Sequence, residues 1–375
     1  MNSLHLLDSY LPRTETFIWQ VLRKLHRYPP AILADRLENR EAFPLPSAEF
    51  LDATASRPLL SKAWARVSGS FAPIDYPGLV EGLRDRDIAV THVHKGFRAL
   101  VTRGFTRELG KPLLVSFYGS DVSSQPFLRR AATGYRELFA QARFLLAEGP
   151  ALRQRLIDLG APAEKIRIQR IAIDPSDYIF HERSWDGNRP VRLLFTGRLV
   201  DKKGLDVGLQ ALADSRVGFP WELTVIGDGP RRARLEALAA RLGIRDRVRF
   251  VGYTSLDEMR AAMQTHDLLL QPSRIAGDGD SEGGAPTVLL EAQACGLPIL
   301  STTHADIPYV TVPGESAWLA PEGDAATMAG LLCRAAEESG RWGAMGRAGR
   351  AKVAADHDVN REAARLEDLY AEAVG

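Results

Sequence analysis

Glu282 and Glu291 bracket the stretch of clearest chemical content, DSEGGAPTVLLEAQACGLPILST from Asp280 to Thr302. Gly283 and Gly284 make a loop, and Pro286 suits the first position of a short helix because its missing N–H would be unpaired there anyway. Gly296 suits the position just past the helix end. Ala285 then stands as the N-cap. It has no side-chain oxygen, so the backbone N–H groups around Thr287 and Val288 are left open to an outside acceptor. A helix start of this kind, after a glycine loop, is a natural anion site. Carboxylates repel phosphate but accept hydrogen bonds from hydroxyls, so the combination suits a ligand carrying both sugar and phosphate. Taken alone, the stretch also reads as a water-capped helix with two solvated acids.

The segment GRLVDKKG, Gly197 to Gly204, closes a β-type run with a glycine and presents Arg198 and Lys203 just before another helix. A planar guanidinium and a mobile ammonium can together neutralise a diphosphate. Basic loop residues are usually just solvated. Joined to the helix start at Pro286, they become loops converging on one anion at a single sheet edge. Gly252 and Tyr253 end a further run. VIGDGPRR, from Val225, has part of a dinucleotide loop, but Arg232 fills the third glycine position and the signal is weak.

Glu-Gly, a small loop, Pro286, four residues, Glu291 and then Ala-x-Ala-Cys-Gly-x-Pro together resemble the donor-site signature of retaining glycosyltransferases of family 4, which have the GT-B fold. The family places seven residues between its two acids. Here eight separate Glu282 from Glu291, and Gly283 stands where the first acid is expected. The resemblance implies that Glu291 accepts from the nucleotide ribose, that Glu282 contacts donor-sugar hydroxyls, and that Arg198 and Lys203 hold the leaving phosphates. It implies transfer of a sugar from a nucleoside-diphosphate sugar, UDP ahead of GDP, to a hydroxyl on a glycan or lipid-linked glycan in surface-polysaccharide synthesis. Configuration would be retained, with no metal and no cofactor. A sugar-nucleotide epimerase of the same fold and a non-catalytic nucleotide-sugar-binding protein are the alternatives, the second suggested by the shifted acid.

The elements that must position these residues divide into two α/β halves. In the first, a strand from His5 to Asp8 runs into LPRTETF and a helix with Phe17, Ile18, Val21, Leu22 and Leu25 at helical spacing. By the resemblance this loop is at the cleft of a GT-B protein, making Arg13, Thr14 and Glu15 candidate acceptor or donor contacts; Thr14 reads equally as a cap. IAVTHVH, Ile88 to His94, reads as a buried strand, and His94 at its carboxyl end is the better cleft candidate. His92 and His94 share a face, but no Cys or acid at ligand spacing accompanies them, so no metal site is expected. LLVSFYGSD, Leu113 to Asp121, resembles the family's Phe-His-Gly-x-Asp segment with Tyr118 in place of His, while Gly119 and Asp121 match. The segment from Phe144 to Asp174 resembles the family's closing segment of the first domain, which implies that Glu148, Arg170 and Asp174 are near the cleft.

From Val191 onward, strands at 191–196, 223–226, 248–251, 268–271 and 298–301 alternate with helical stretches, the order of a parallel sheet covered on both faces. The expectation is two Rossmann-like domains facing a cleft: 1–175 for the acceptor, 176–355 for the nucleotide sugar, and a last helix, 356–375, returning to the first. The 375 residues suit two cores. With 48 Lys+Arg against 47 Asp+Glu there is no global field to recruit nucleic acid. Cys295 and Cys333 read as reduced, buried thiols of a cytosolic protein. The first residues do not read as a secretion signal, and no apolar run is long enough for a membrane span. Phe127 to Phe139 mixes basic and apolar residues at helical spacing, which allows peripheral contact at the inner membrane face, although a solvated surface helix is the plainer reading.

Overall fold

Residues 1–12, 15–51 and 71–375 are described by a computed structural model of the chain. Arg13 and Thr14 lie outside them. The protein divides into two compact units, Met1–Ala172 with Val359–Gly375, and Ile173–Asp358.

The first unit is built on strands β1 (Asn2–Leu7), β2 (Pro30–Ala34), β3 (Glu49–Phe50), β4 (Ile88–His94), β5 (Leu113–Ser116), β6 (Phe144–Ala147) and β7 (Ile166–Ile168). Every pairing is parallel, in the order β3-β2-β1-β4-β5-β6-β7. Near-continuous apolar runs make this possible, since both faces of such a sheet are covered. All seven residues of β4 are buried. The order reverses between β1 and β4, so the loops after these strands part at the carboxyl edge and leave room for a ligand.

The helix Val359–Val374 belongs to this unit. Its buried residues Val359, Ala363, Leu366, Tyr370 and Ala373 recur every three or four positions, and it packs on the helix Thr16–Leu22 and on β4. Polar side chains fix its placement. The Glu367 carboxylate accepts the backbone N–H groups of His26 and Arg27 at 2.7 and 2.6 Å, and the Glu362 carboxylate accepts the side-chain amide N–H of Gln169 and the backbone N–H of Arg170.

The second unit repeats the plan with β8 (Val191–Thr196), β9 (Trp221–Ile226), β10 (Val248–Gly252), β11 (Leu268–Gln271), β12 (Ile299–Thr302) and β13 (Ala317–Ala320). These strands are parallel in the order β10-β9-β8-β11-β12-β13. The reversal here is between β8 and β11. The basic loop and the acidic loop therefore leave neighbouring strands at the same edge, one from each side of the switch. A separate core fills this unit around Leu193, Phe195, Leu223, Leu268, Leu300 and Trp342.

One detail differs from the sequence expectation. Cys295 is buried, but Cys333 is half-buried and its Sγ donates to the Arg216 carbonyl. In the helix Gln125–Gln141, Leu128, Ala131, Tyr135, Leu138 and Phe139 are buried in the first unit's core, leaving Arg129, Arg130 and Arg136 outside. Its apolar face is occupied by the protein itself. Among the described residues no helix is long and apolar enough to cross a membrane.

Candidate active site

The acidic helix begins one residue later than the sequence suggests. Pro286 is the N-cap, with ψ of 128°, and the helix runs Thr287–Ala294. Proline's fixed φ suits either position, and here its extended ψ keeps it outside. No side chain caps the helix start, as Ala285 would also have left it. The loop residues Glu282, Gly283 and Gly284 are buried. The Gly284 carbonyl is held by the Asp306 N–H at 3.1 Å.

Lys203 and Glu282 meet directly. The ammonium is 3.0 Å from the carboxylate, and Ser273, just past β11, donates to the same carboxylate at 2.8 Å. Burial alone would raise the Glu282 carboxyl, but Lys203 and Lys202 outweigh it, helped by the bonds from Lys203 and Ser273, and hold it below its ordinary value. Glu282 is thus a charged, buried partner of the basic loop. Lys202 ties the two loops together again, at 2.8 Å from the Ser281 carbonyl and 3.3 Å from Asp280. The backbone N–H of Glu282 donates to His304 Nε2, so the other ring nitrogen carries the proton, given to Glu322 at 2.8 Å.

Gly204 lets the basic loop come this close. Its φ is +64°, and a Cβ there would lie 1.8 Å from the Pro272 carbonyl oxygen. Gly204→Ala is expected to destabilise the second unit by more than about 2 kcal/mol, through strain at positive φ and a backbone clash; a urea midpoint equal to that of the parent would contradict this.

The remaining donor-side candidates are more dispersed. Arg198 is exposed and has no ion pair among the described residues, so its guanidinium is open to an anion. Gly197 sits at φ +153° with the Lys203 methylenes 3.5 Å from where its Cβ would be. Glu291 is buried on the helix side and takes the Tyr178 hydroxyl at 3.0 Å. Burial raises its carboxyl, with Tyr178 and Arg260 pulling the other way. Gly252 ends β10, and Tyr253 is exposed with its hydroxyl on the Asp228 carbonyl at 3.2 Å. Arg232, which breaks the dinucleotide pattern, pairs with Asp228 and Glu236.

In the first unit, His94, Tyr118, Glu148 and Arg170 line one pocket together with the apolar Phe17, Ile18 and Leu366. Glu15 pairs with Lys95. Asp121 is a support: its carboxylate accepts the N–H groups of Gly96, Tyr118 and Gly119 at 2.8, 3.2 and 3.0 Å. Burial raises this carboxyl against those three bonds.

The sequence pairs His92 with His94 and does not bring in His5. The parallel register sets His5 opposite His92, and the three rings form a buried cluster whose nitrogens lie close enough to share an ion. Their ring nitrogens are already hydrogen-bonded to Ser3, Tyr118, Tyr370, Ser116 and one another. The rings of His92 and His94 are stacked, with centroids 4.3 Å apart, so their in-plane lone pairs do not converge. The geometry fits a neutral hydrogen-bonded cluster better than a metal centre. Ser273, His304, Tyr178 and His5 are not singled out by the sequence; the available signal is position, for His5 on a strand flanking a switch point and for Ser273 in the loop just past one.

Two parallel-sheet units, each with its candidate residues at a switch point, define a GT-B-type fold, and residues 190–338 match the family described as Glycosyl transferases group 1. That match lies within the second unit. Among relatives, the chain is 37% identical over 247 residues to the amylovoran biosynthesis glycosyltransferase AmsK of Erwinia amylovora, covering 64% of this chain and 60% of that protein. It is 28% identical over 288 residues to the GDP-mannose-dependent alpha-(1-6)-phosphatidylinositol monomannoside mannosyltransferase of Mycolicibacterium smegmatis, covering 76% and 69%. The chain spans 58–65% of the length of the amylovoran and colanic acid biosynthesis relatives it matches. In fold it is similar to Anabaena Alr3699/HepE, crystallised with UDP and glucose, with a TM-score of 0.77 at 17% identity over 99% of this chain and 100% of that one.

Proposed function

We propose that the protein is a retaining glycosyltransferase that moves a sugar from a nucleoside-diphosphate sugar to a hydroxyl of a glycan or lipid-linked glycan in surface-polysaccharide synthesis. The observation that supports this most is the join of Lys203 to Glu282 in the loop that leads to an uncapped helix start, with Arg198 exposed on the same basic loop as Lys203. Departure of the nucleoside diphosphate builds negative charge. Lys203, Arg198 and the N–H groups near Thr287 would oppose it with groups already in place. Glu282, held ionised, would accept from donor-sugar hydroxyls and stabilise positive charge at the anomeric carbon, and Glu291 would accept from the ribose. Among relatives, the mannosyltransferase named above is GDP-mannose-dependent, while the similar Anabaena structure holds UDP; UDP remains the first choice of donor.

The test is a panel of UDP- and GDP-sugars incubated with the protein, following released nucleoside diphosphate with and without a lipid-linked or soluble glycan. Release that needs acceptor and survives EDTA is expected, since the cations invoked are side chains. Donor conversion without acceptor would identify an epimerase, and binding of UDP or GDP without release would identify a binding protein.

Peripheral membrane contact, if it involves the helix Gln125–Gln141, would be electrostatic, because only its basic face is outside. Arg129→Glu with Arg130→Glu is expected to weaken sedimentation with anionic vesicles at least about thirtyfold, at roughly 1 kcal/mol for each of the two attractive charges lost; unchanged sedimentation would end the idea.

A further inference from the structure

The buried histidines are part of a hydrogen-bond chain whose direction is fixed at one end. The Ser3 hydroxyl is 2.9 Å from the Tyr28 carbonyl oxygen. A carbonyl has no proton to give, so Ser3 donates. His5 Nε2, 2.9 Å from the same hydroxyl, must then be the donor to it. A neutral His5 has only a lone pair left at Nδ1, which lies 3.0 Å from His94 Nε2, so His94 donates from Nε2. His94 Nδ1 is then an acceptor, and its partner at 2.7 Å is the Tyr118 hydroxyl.

Both rings are held neutral, as this requires. Burial, with His92 nearby, pushes His5 down, and burial with His92, His5 and Lys95 pushes His94 down. The chain cannot serve as a proton outlet, because it ends in a carbonyl that passes no proton on. It can only orient. Its near end, Tyr118, lines the pocket that also holds Glu148 and Arg170, with the Ser116 hydroxyl beside it. The Tyr28 end is anchored too, its N–H reaching Glu367 at 3.3 Å.

We propose that Ser3, His5 and His94 are positioning residues that keep the Tyr118 hydroxyl proton on His94, so that Tyr118 meets the pocket solely as a hydrogen-bond acceptor and selects a ligand presenting a hydroxyl donor. The ligand class, a sugar hydroxyl of the accepting substrate, rests on the function proposed above; the direction of the chain does not. A ligand group with only acceptor character at that point, such as a methyl ether in place of the hydroxyl, is rejected because two oxygens then face each other without a proton.

Long-range 1H–15N correlation of the histidine rings in the full chain reads the tautomers without turnover, with His5→Gln and His94→Gln used for assignment. His5 and His94 are expected as neutral Nε2–H forms at about pH 7, above the range where such buried rings protonate. Ser3→Ala, which removes the fixed end, should let Nδ1–H forms appear, and Ser3→Thr should restore the native pattern. A protonated Nδ1 on His94 in the parent protein overturns the proposal. In the transfer assay, Tyr118→Phe keeps the ring against Phe17 and His94 and should raise KM for the acceptor about tenfold with donor KM unchanged. Ser3→Ala should do the same about threefold, and Ser3→Thr should recover it. Unchanged acceptor KM in Tyr118→Phe overturns the selection of a hydroxyl. Nε2–H tautomers as stated, in a protein that transfers no sugar, would instead overturn the functional reading and leave the positioning chain standing.

Discussion

Lys203→Ala is expected to lower glycosyl transfer at least about a hundredfold, because one preorganised charge opposite a leaving diphosphate is worth about 3 kcal/mol of barrier. The same substitution carries a second effect that the sequence does not announce. Lys203 is the partner that keeps Glu282 charged in a buried loop, and removing one member of such a pair costs about 3–5 kcal/mol of stability. Loss of activity in the single variant could therefore come from a loop that no longer holds its shape. Adding Glu282→Gln separates the two effects. The amide can still accept from Ser273, so the double variant should regain most of the lost stability while transfer stays down. The measurement is a urea titration beside a donor-release assay on all three proteins. Recovery of turnover together with stability would show that Lys203 acts only as the carboxylate's counterion.

The largest pH effect is expected from the three buried histidines. Burial lowers His92 to about 3 and lowers His5 and His94 well below the ordinary 6.5. Below about pH 6.5 the unfolded chain binds protons that the folded one does not, so stability is complete above that value and falls as pH drops beneath it. Each histidine contributes about 1.4 kcal/mol per pH unit, and three together about 4 kcal/mol per unit. The raised carboxyls of Asp121 and Glu362 work in the opposite sense and reduce the net slope nearer about pH 4. Hydrogen exchange of the β1 and β4 amides at about pH 7.5 and about pH 5.5, on either side of the ordinary histidine value, reads this directly. Equal protection at the two values would mean that the rings take up protons inside the fold.

Local patterns are enough to read the strands of the second unit, and the spans 191–196 and 268–271 match β8 and β11 to the residue. Those runs are apolar, short and closed by glycine or proline, so nothing competes with the β reading. The cap of the acidic helix falls one residue from its expected place because proline fits both positions equally until ψ is known. Arg198, Lys203, Glu282 and Glu291 all stand out by residue type, but the pairing of Lys203 with Glu282 does not. The two are 79 positions apart, and only the order of β8 and β11 in the sheet brings their loops together. His5 is hidden for the same reason: a lone histidine in an apolar strand gives no sign of its neighbour on β4 until the register is set.

The first unit is closed by the helix Val359–Val374, and the chain returns to it only after making the whole second unit, whose ends meet where Ile173 donates to the His357 carbonyl at 3.0 Å. During synthesis this sets an order. The second unit has all its residues before the final segment is translated, whereas β4 must wait with His92 lacking Tyr370 and the turn at His26 lacking Glu367. A chain broken off before that helix thus leaves a finished second unit attached to an unfinished first one, a species open to proteases at the sheet of its first unit.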